Sequence, residues 1–527
     1  MSLLENIKNQ TDVKKLNDEQ SQILSEEIRK NIIDTVKENG GHLASNLGIV
    51  ETTVALCRVF DFKKDKIIFD VGHQCYPYKM LTGRFNNFST IRKKGGLSGF
   101  PDREESDYDS FISGHAGTSI GAGLGKCLAR DKNGENYFVV DIVGDGALAN
   151  GLNLEALTSN NEKPKKYIVI LNDNGMSISK NHNGFYRLIS EKRIADKYVK
   201  RKNRIKKFFG ESFVTRFLRK LRNTIKRILK LQNIFESFGF KYVGVFDGND
   251  VVEMTRLLEQ VKRYAESEAV LLHINTKKGK GFLEAEKHAD SYHGVGANMT
   301  LKTGAFSTAI GETINEIIKN DKSVYAITAG MATGTGLKVV ENENKNNFID
   351  VGIAEEYAVN LSAGMASEGL KPIVCIYSTF MQRAYDQILH DVCIQDLPVV
   401  FCIDRAGLVG SDGKTHQGVF DISFLIHLPN IKIFAPKNTL ELKEMLKLSL
   451  TENCPVAIRY PNDKDLCEEH FAFDGKWERV TSGKEITVLA VGPRMNYLAK
   501  KIKEQADVEI INSRVIKPLD FEMLDSI

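Results

Sequence analysis

Apolar residues in this chain fall into short runs that end near Gly, Asp, Asn or Ser, with helical periodicity between them. The runs are Tyr137–Val143, Tyr167–Leu171, Val270–Ile274, Val324–Thr328, Pro372–Tyr377, Pro398–Ile403, Ile431–Phe434, Val456–Tyr460, Ile486–Val491 and Val508–Ile511. A strand buried on both faces reads as a continuous apolar run instead of an alternation, so the pattern predicts an α/β chain built on parallel sheets. In such sheets ligands sit beyond the carboxyl ends of the strands, which directs the search for chemistry to the residues just after each run.

Polar, Gly-rich stretches at Tyr292–Leu301 and Cys467–Lys484 divide the chain into three blocks, 1–298, 299–466 and 484–527. A length of 527 residues is too great for one hydrophobic core, so several domains are expected. The third block offers only two strand candidates and is short for a doubly wound domain.

Composition changes the picture little. Apolar residues at 42% and charged residues at 27% are ordinary for a globular protein and exclude a disordered or collagen-like chain. The start is polar and no run approaches the roughly 18 apolar residues of a membrane span, so a cytoplasmic protein is expected. Eight cysteines without a C-x-x-C pair argue against a zinc knuckle or a disulfide framework.

The net charge of +4 is local in origin. Residues 183–232 hold 17 Lys/Arg against 3 Asp/Glu, leaving the rest of the chain net acidic. Within this segment Phe213, Phe217, Leu218, Leu221, Ile225, Ile228, Leu229 and Leu231 recur at helical spacing, which predicts an amphipathic insertion with a solvated basic face. Weak binding to a membrane surface or polyanion, or recruitment of an anionic substrate, stays open as an alternative. No nucleic-acid partner is expected.

The sharpest chemical signal is Gly144-Asp145-Gly146-Ala147 at the end of one run and Asn172-Asp173-Asn174-Gly175-Met176 at the end of the next. Mg²⁺ takes a compact octahedron of oxygens, often from a carboxylate, a carbonyl and substrate phosphates. Asp145 supplies the carboxylate, Asn174 an amide oxygen and Met176 a backbone carbonyl. Gly144 and Gly146 let the backbone approach a diphosphate, and a helix starting near Ala147 would present free N–H groups to it. A lone G-D-G marks a strand-to-turn transition; N-D-N at the next strand end makes the pair a metal and diphosphate site.

These residues resemble the thiamine-diphosphate signature. The resemblance implies a glutamate from a second α/β domain that hydrogen-bonds the cofactor's aminopyrimidine. Glu355 fits, because it opens an apolar, Gly/Ala-rich helix in the middle block.

Longer stretches narrow the likeness. Gly40-Gly41-His42-Leu43-Ala44-Ser45-Asn46-Leu47-Gly48, Asp70 to Pro77, Ile376 to Gln387, Ile403 to Gly407 and Asp412 to Gly418 resemble the 1-deoxy-D-xylulose-5-phosphate synthase family. The resemblance implies three doubly wound parallel-sheet domains of the thiamine-diphosphate-binding, transketolase type: a diphosphate-binding domain (1–298), a pyrimidine-binding domain (299–466) and the start of a short or incomplete C-terminal domain (484–527). It implies a homodimer, thiamine diphosphate and Mg²⁺, and condensation of pyruvate with D-glyceraldehyde 3-phosphate with loss of CO₂. The product would feed isoprenoid, thiamine and pyridoxal synthesis.

Carried over by position, His42 and His73 line the reacting side of the cofactor, with His293 and His416 nearby. Gly114, His115 and Ala116 meet the diphosphate, Phe380 stacks on the pyrimidine, Arg405 and Arg459 bind the acceptor's phosphate, and Tyr377, Arg383 and Asp412 position substrate. Tyr78, Asn249 and Tyr357 each stand where the family usually has histidine, and Gly175 stands where Glu is common. A related ketol transferase or carboligase with a different acceptor, or a non-catalytic paralogue, remains the alternative; the latter's expected signature, loss of Asp145 or Glu355, is not met.

Overall fold

The computed structural model describes residues 2–159, 162–174, 234–300, 304–410, 412–467 and 472–527. Met176, Gly175 and the basic segment 183–232 lie outside the described residues. The chain clusters into two compact units, Met1–Ile91 with Gly95–His293, and Arg92–Lys94 with Gly294–Ile527.

The first unit is built on β1 (Lys66–Phe69), β2 (Val139–Gly144), β3 (Tyr167–Asp173), β4 (Lys241–Asp247) and β5 (Val270–Asn275), all parallel, in the order β1-β2-β3-β5-β4. The central strands are buried on both faces, which is why they read as unbroken apolar runs. A long helix, Asp18–Asn39, starts at a capping box between Asn17 and Gln20, and Gly40 follows it with φ +74°. Its Leu24, Ile28, Ile32 and Val36 repeat every fourth residue and are fully buried.

The second unit holds β6 (Val324–Thr328), β7 (Phe348–Asp350), β8 (Lys371–Tyr377), β9 (Val400–Asp404), β10 (Lys432–Phe434) and β11 (Val456–Arg459), with β12 (Glu478–Thr481), β13 (Ile486–Ala490), β14 (Val508–Asn512) and β15 (Val515–Lys517) further on. Its main sheet runs β15-β10-β11-β9-β8-β6-β7, parallel except for β15. Side chains alternate between two cores. Cys375, Val400 and Ile458 pack with the helix Ala305–Asn320 on one face, while Val374, Ile376 and Phe401 pack with the helix Glu355–Ser367 on the other.

Strands β12, β14 and β13 form a small separate sheet in that order. Residues 484–527 cluster with the second compact unit. Two features explain this: β15 returns to pair antiparallel with β10, and a buried polar cluster ties the small sheet down. In that cluster Lys437 donates to Glu478, Asn512 donates to Glu478 and Glu441, and Arg514 donates to Glu441. Each charge is paired, as burial demands. All eight cysteines are free. Among the described residues no helix is long and apolar enough to cross a membrane.

Candidate active site

In the first unit the ends of adjacent strands deliver the acidic and amide groups. Gly144 of β2 is in register with Asn172 of β3, so Asp145 and Asn174 follow neighbouring strand ends. Asp145 is buried at 4% exposure. A Cβ built on Gly144 would meet nothing within 4 Å, so there is open room beside the strand end. A buried carboxylate, a neighbouring amide oxygen and that room suit a hard, oxygen-seeking cation carrying a diphosphate. Met176, the expected third donor, lies outside the described residues.

Asp70, which follows β1, organises the loop expected to meet the diphosphate. Its fully buried carboxylate accepts from Gly117 N at 2.9 Å, Ser119 N at 3.1 Å, Ser119 Oγ at 2.8 Å and Asn153 Nδ2 at 3.1 Å. Gly117 has φ +86°, and a Cβ there would collide with the Asn150 amide, so glycine is required. Gly114 and Ala116 are buried and His115 is half-buried in this loop.

His42, His73 and His293 come together as a triangle of rings. Centroid separations are 5.4 Å for His42–His73, 5.3 Å for His42–His293 and 5.1 Å for His73–His293. Phe100 meets His42 edge to face at 5.7 Å, and the Ser45 hydroxyl lies 3.4 Å from His293 Nδ1. Burial, followed by Lys278 and then His73, holds the His293 pKa well below the usual histidine value, so its imidazole stays neutral. Lys278, after β5, is also buried, and its pKa is lowered to about 8 by burial against the opposing pull of Asp145 and Asp290.

In the second unit Glu355 is the first residue of its helix and only 3% exposed. Among the described residues its Oε2 has no hydrogen-bond partner. Burial raises its pKa to about 7, against the opposing effect of Arg383 and its own backbone amide, with Glu356 adding slightly to the rise. A buried carboxyl that is half neutral near pH 7 and has a spare oxygen fits a partner offering a ring nitrogen.

Tyr377, Phe380 and His416 cluster. The Tyr377 and Phe380 rings stack at 5.8 Å, His416 meets Phe380 edge-on at 5.6 Å, and Arg405 lies over Tyr377. Arg405 also donates to the carbonyl of Gly334 at 3.1 Å and to Asp404 at 3.1 Å, and Ser307 holds the far oxygen of Asp404 at 2.7 Å. Arg459 is held by buried Asp421 through Nε at 2.8 Å and Nη2 at 3.4 Å. Asp412 pairs with Arg92 at 2.6 Å.

The three histidine replacements differ in setting. Tyr78 is a core residue, 2% exposed, packed on Phe62 and Phe69 and donating to the carbonyl of Tyr108 at 2.7 Å. Asn249 is a junction: its amide nitrogen donates to the carbonyl of Gly48 and to Glu51, and its oxygen accepts from Lys277 N. Tyr357 is 54% exposed. Motif reading missed Asp70, Lys278 and Asn46. The available signal was Asp70 at the end of the apolar stretch Ile67–Phe69 and Lys278 just after the run Val270–Ile274.

Comparison with known proteins identifies the family. Residues 4–276 match the family model described as 1-deoxy-D-xylulose-5-phosphate synthase, and residues 302–464 match the transketolase pyrimidine-binding domain. A 1-deoxy-D-xylulose-5-phosphate synthase of Clostridium botulinum is 46% identical over 100% of this chain and 88% of its own length. One from Clostridium tetani is 45% identical with the same coverage. The transketolase structure from Campylobacter jejuni aligns over 95% of this chain and 89% of its own at 16% identity with a TM-score of 0.40, too loose to carry an argument. On the full-length likeness to the curated relatives, the chain belongs to the 1-deoxy-D-xylulose-5-phosphate synthase family.

Proposed function

We propose that this chain condenses pyruvate with D-glyceraldehyde 3-phosphate, with loss of CO₂, to give 1-deoxy-D-xylulose 5-phosphate, the first step of the non-mevalonate isoprenoid route and a supply for thiamine and pyridoxal synthesis. The observation that carries the reading is family membership along the whole chain. When bound, thiamine diphosphate supplies the nucleophilic carbon that takes up the keto group of pyruvate and accepts the electrons left as CO₂ departs.

The protein's own residues orient and move protons. Asp145 and Asn174, with Met176 as the expected third donor, would hold Mg²⁺, while Gly114, His115, Ala116, Gly144, Gly146 and Ala147 would meet the diphosphate. Glu355, kept protonatable by burial, would share a proton with the pyrimidine ring, and Phe380 would face that ring. His42, His73, His293 and His416 exchange protons with the bound substrates. Neutral His293 is suited to accept one. Arg405 and Arg459 offer planar donor forks to the acceptor's phosphate. Tyr377, Arg383 and Asp412 position substrate and the carboxylate of pyruvate. A homodimer in the cytoplasm completes the reading.

The test is CO₂ release from carboxyl-labelled pyruvate with thiamine diphosphate and Mg²⁺, with and without D-glyceraldehyde 3-phosphate, and identification of the sugar phosphate formed. Release coupled to 1-deoxy-D-xylulose 5-phosphate is expected. Equal release without the acceptor would make the chain a carboligase or decarboxylase, and no release would remove the activity.

A further inference from the structure

We propose that Asn46 is a positioning residue that sets the spacing of His42 and His73. The inference rests on the reading that these two histidines face the reacting atoms. Asn46 is fully buried. Its Nδ2 donates to the carbonyl of His42 at 2.7 Å and to the carbonyl of His73 at 2.7 Å, while its Oδ1 accepts from Tyr76 N at 2.8 Å. Two acceptors on one side and a donor on the other fix which way the amide points.

One side chain thus spends both its donors on the backbone of two separate loops, at the very residues whose rings approach to 5.4 Å. A second, weaker tie runs from His42 N to the Tyr76 hydroxyl at 3.3 Å. The segment of the third ring is tied to the same 41–49 loop, since the Tyr292 carbonyl accepts from Ala44 N at 3.0 Å. Asn46 is therefore a direct side-chain link between the His42 and His73 loops, and the shortest of those described. No other uncharged side chain of this size offers two donors and an acceptor: an Asp cannot donate to either carbonyl, and an Ala leaves two carbonyls and an N–H to find other partners. A shift of about 1 Å between groups that act on one substrate costs on the order of 100-fold in rate.

The test compares full-length wild type, Asn46→Ala, Tyr76→Phe and the stability control Ile32→Ala, at a temperature where all four give native circular dichroism. Amide hydrogen exchange of the protein without cofactor should show segments 41–49 and 72–79 losing protection together in Asn46→Ala and keeping it in Ile32→Ala. With thiamine diphosphate, Mg²⁺, pyruvate and D-glyceraldehyde 3-phosphate, kcat of Asn46→Ala should fall about 100-fold while cofactor Kd stays within about 3-fold, and Tyr76→Phe should lose less. Protection unchanged in either segment, or kcat within about twofold of wild type, overturns the positioning role. An inactive wild type overturns the synthase reading instead, a result the same series detects separately.

Discussion

The guanidinium carbon of Arg405 sits 3.6 Å from the centroid of the Tyr377 ring. A cation this close to a ring face is held by the quadrupole and by packing at once, and the planar guanidinium does this better than an ammonium. Room for the stack comes from Gly334, where any Cβ would overlap the Tyr377 hydroxyl. Burial pushes the Tyr377 pKa up to about 12, against the opposing effect of Arg405, so the phenol stays neutral and able to donate.

Replacing Arg405 by Lys removes the stack and the planar fork but keeps the charge. The KM for D-glyceraldehyde 3-phosphate should rise about 10- to 100-fold while the KM for pyruvate moves little. Steady-state kinetics with each substrate varied in turn check this. A rise shared equally by both substrates would mean that Arg405 supports the site generally and does not read the phosphate.

Asp70 gathers four donors from the loop and helices around Gly117, Ser119 and Asn153, the segment proposed to meet the diphosphate. Asp70→Ala strips the loop of that anchor, and each stranded buried donor costs about 1–3 kcal/mol. The Kd for thiamine diphosphate should rise at least about 10-fold, with activity partly recovered at excess cofactor. Isothermal titration of the variant decides, and an unchanged Kd would show that the loop holds its shape without Asp70.

Glu355 also links pH to stability. Its folded pKa of about 7 exceeds the ordinary 4.5, so between those values the folded chain binds more protons than the unfolded one. The group's contribution is fully present below about 4.5 and is lost as pH rises through about 7, a difference of about 3 kcal/mol without cofactor. Glu355→Gln carries no charge to bury. Its melting temperature should exceed that of wild type near pH 8, and the gap should narrow near pH 5. A gap that stays constant across this range would show that Glu355 is not held in a charge-excluding setting.

All ten apolar runs became strands, and the strands that no run marked, β1, β4, β7, β12 and β15, all lie at sheet edges. An edge strand has one neighbour and less cover, so it need not be apolar throughout: β4 has no fully buried position, and β7 is half-buried at every residue. Among the candidate site residues, Asp145, Asn174 and Glu355 stand out in the sequence because charge and amide chemistry stand at strand or helix ends. The roles of Asn46 and Asp70 do not, because their partners are backbone groups and, for Asp70, also the Ser119 and Asn153 side chains far along the chain, and nothing in a buried Asn or Asp announces which distant atoms it will meet. The return of β15 to β10 is a long-range pairing that a local pattern does not encode.

If Glu355 activates a thiamine cofactor, Glu355→Gln separates cofactor binding from turnover when the two are measured side by side. The expected result is a thiamine diphosphate Kd within about 10-fold of wild type together with a turnover at least about 100-fold lower. A variant that condenses pyruvate with D-glyceraldehyde 3-phosphate at a near-normal rate would contradict it.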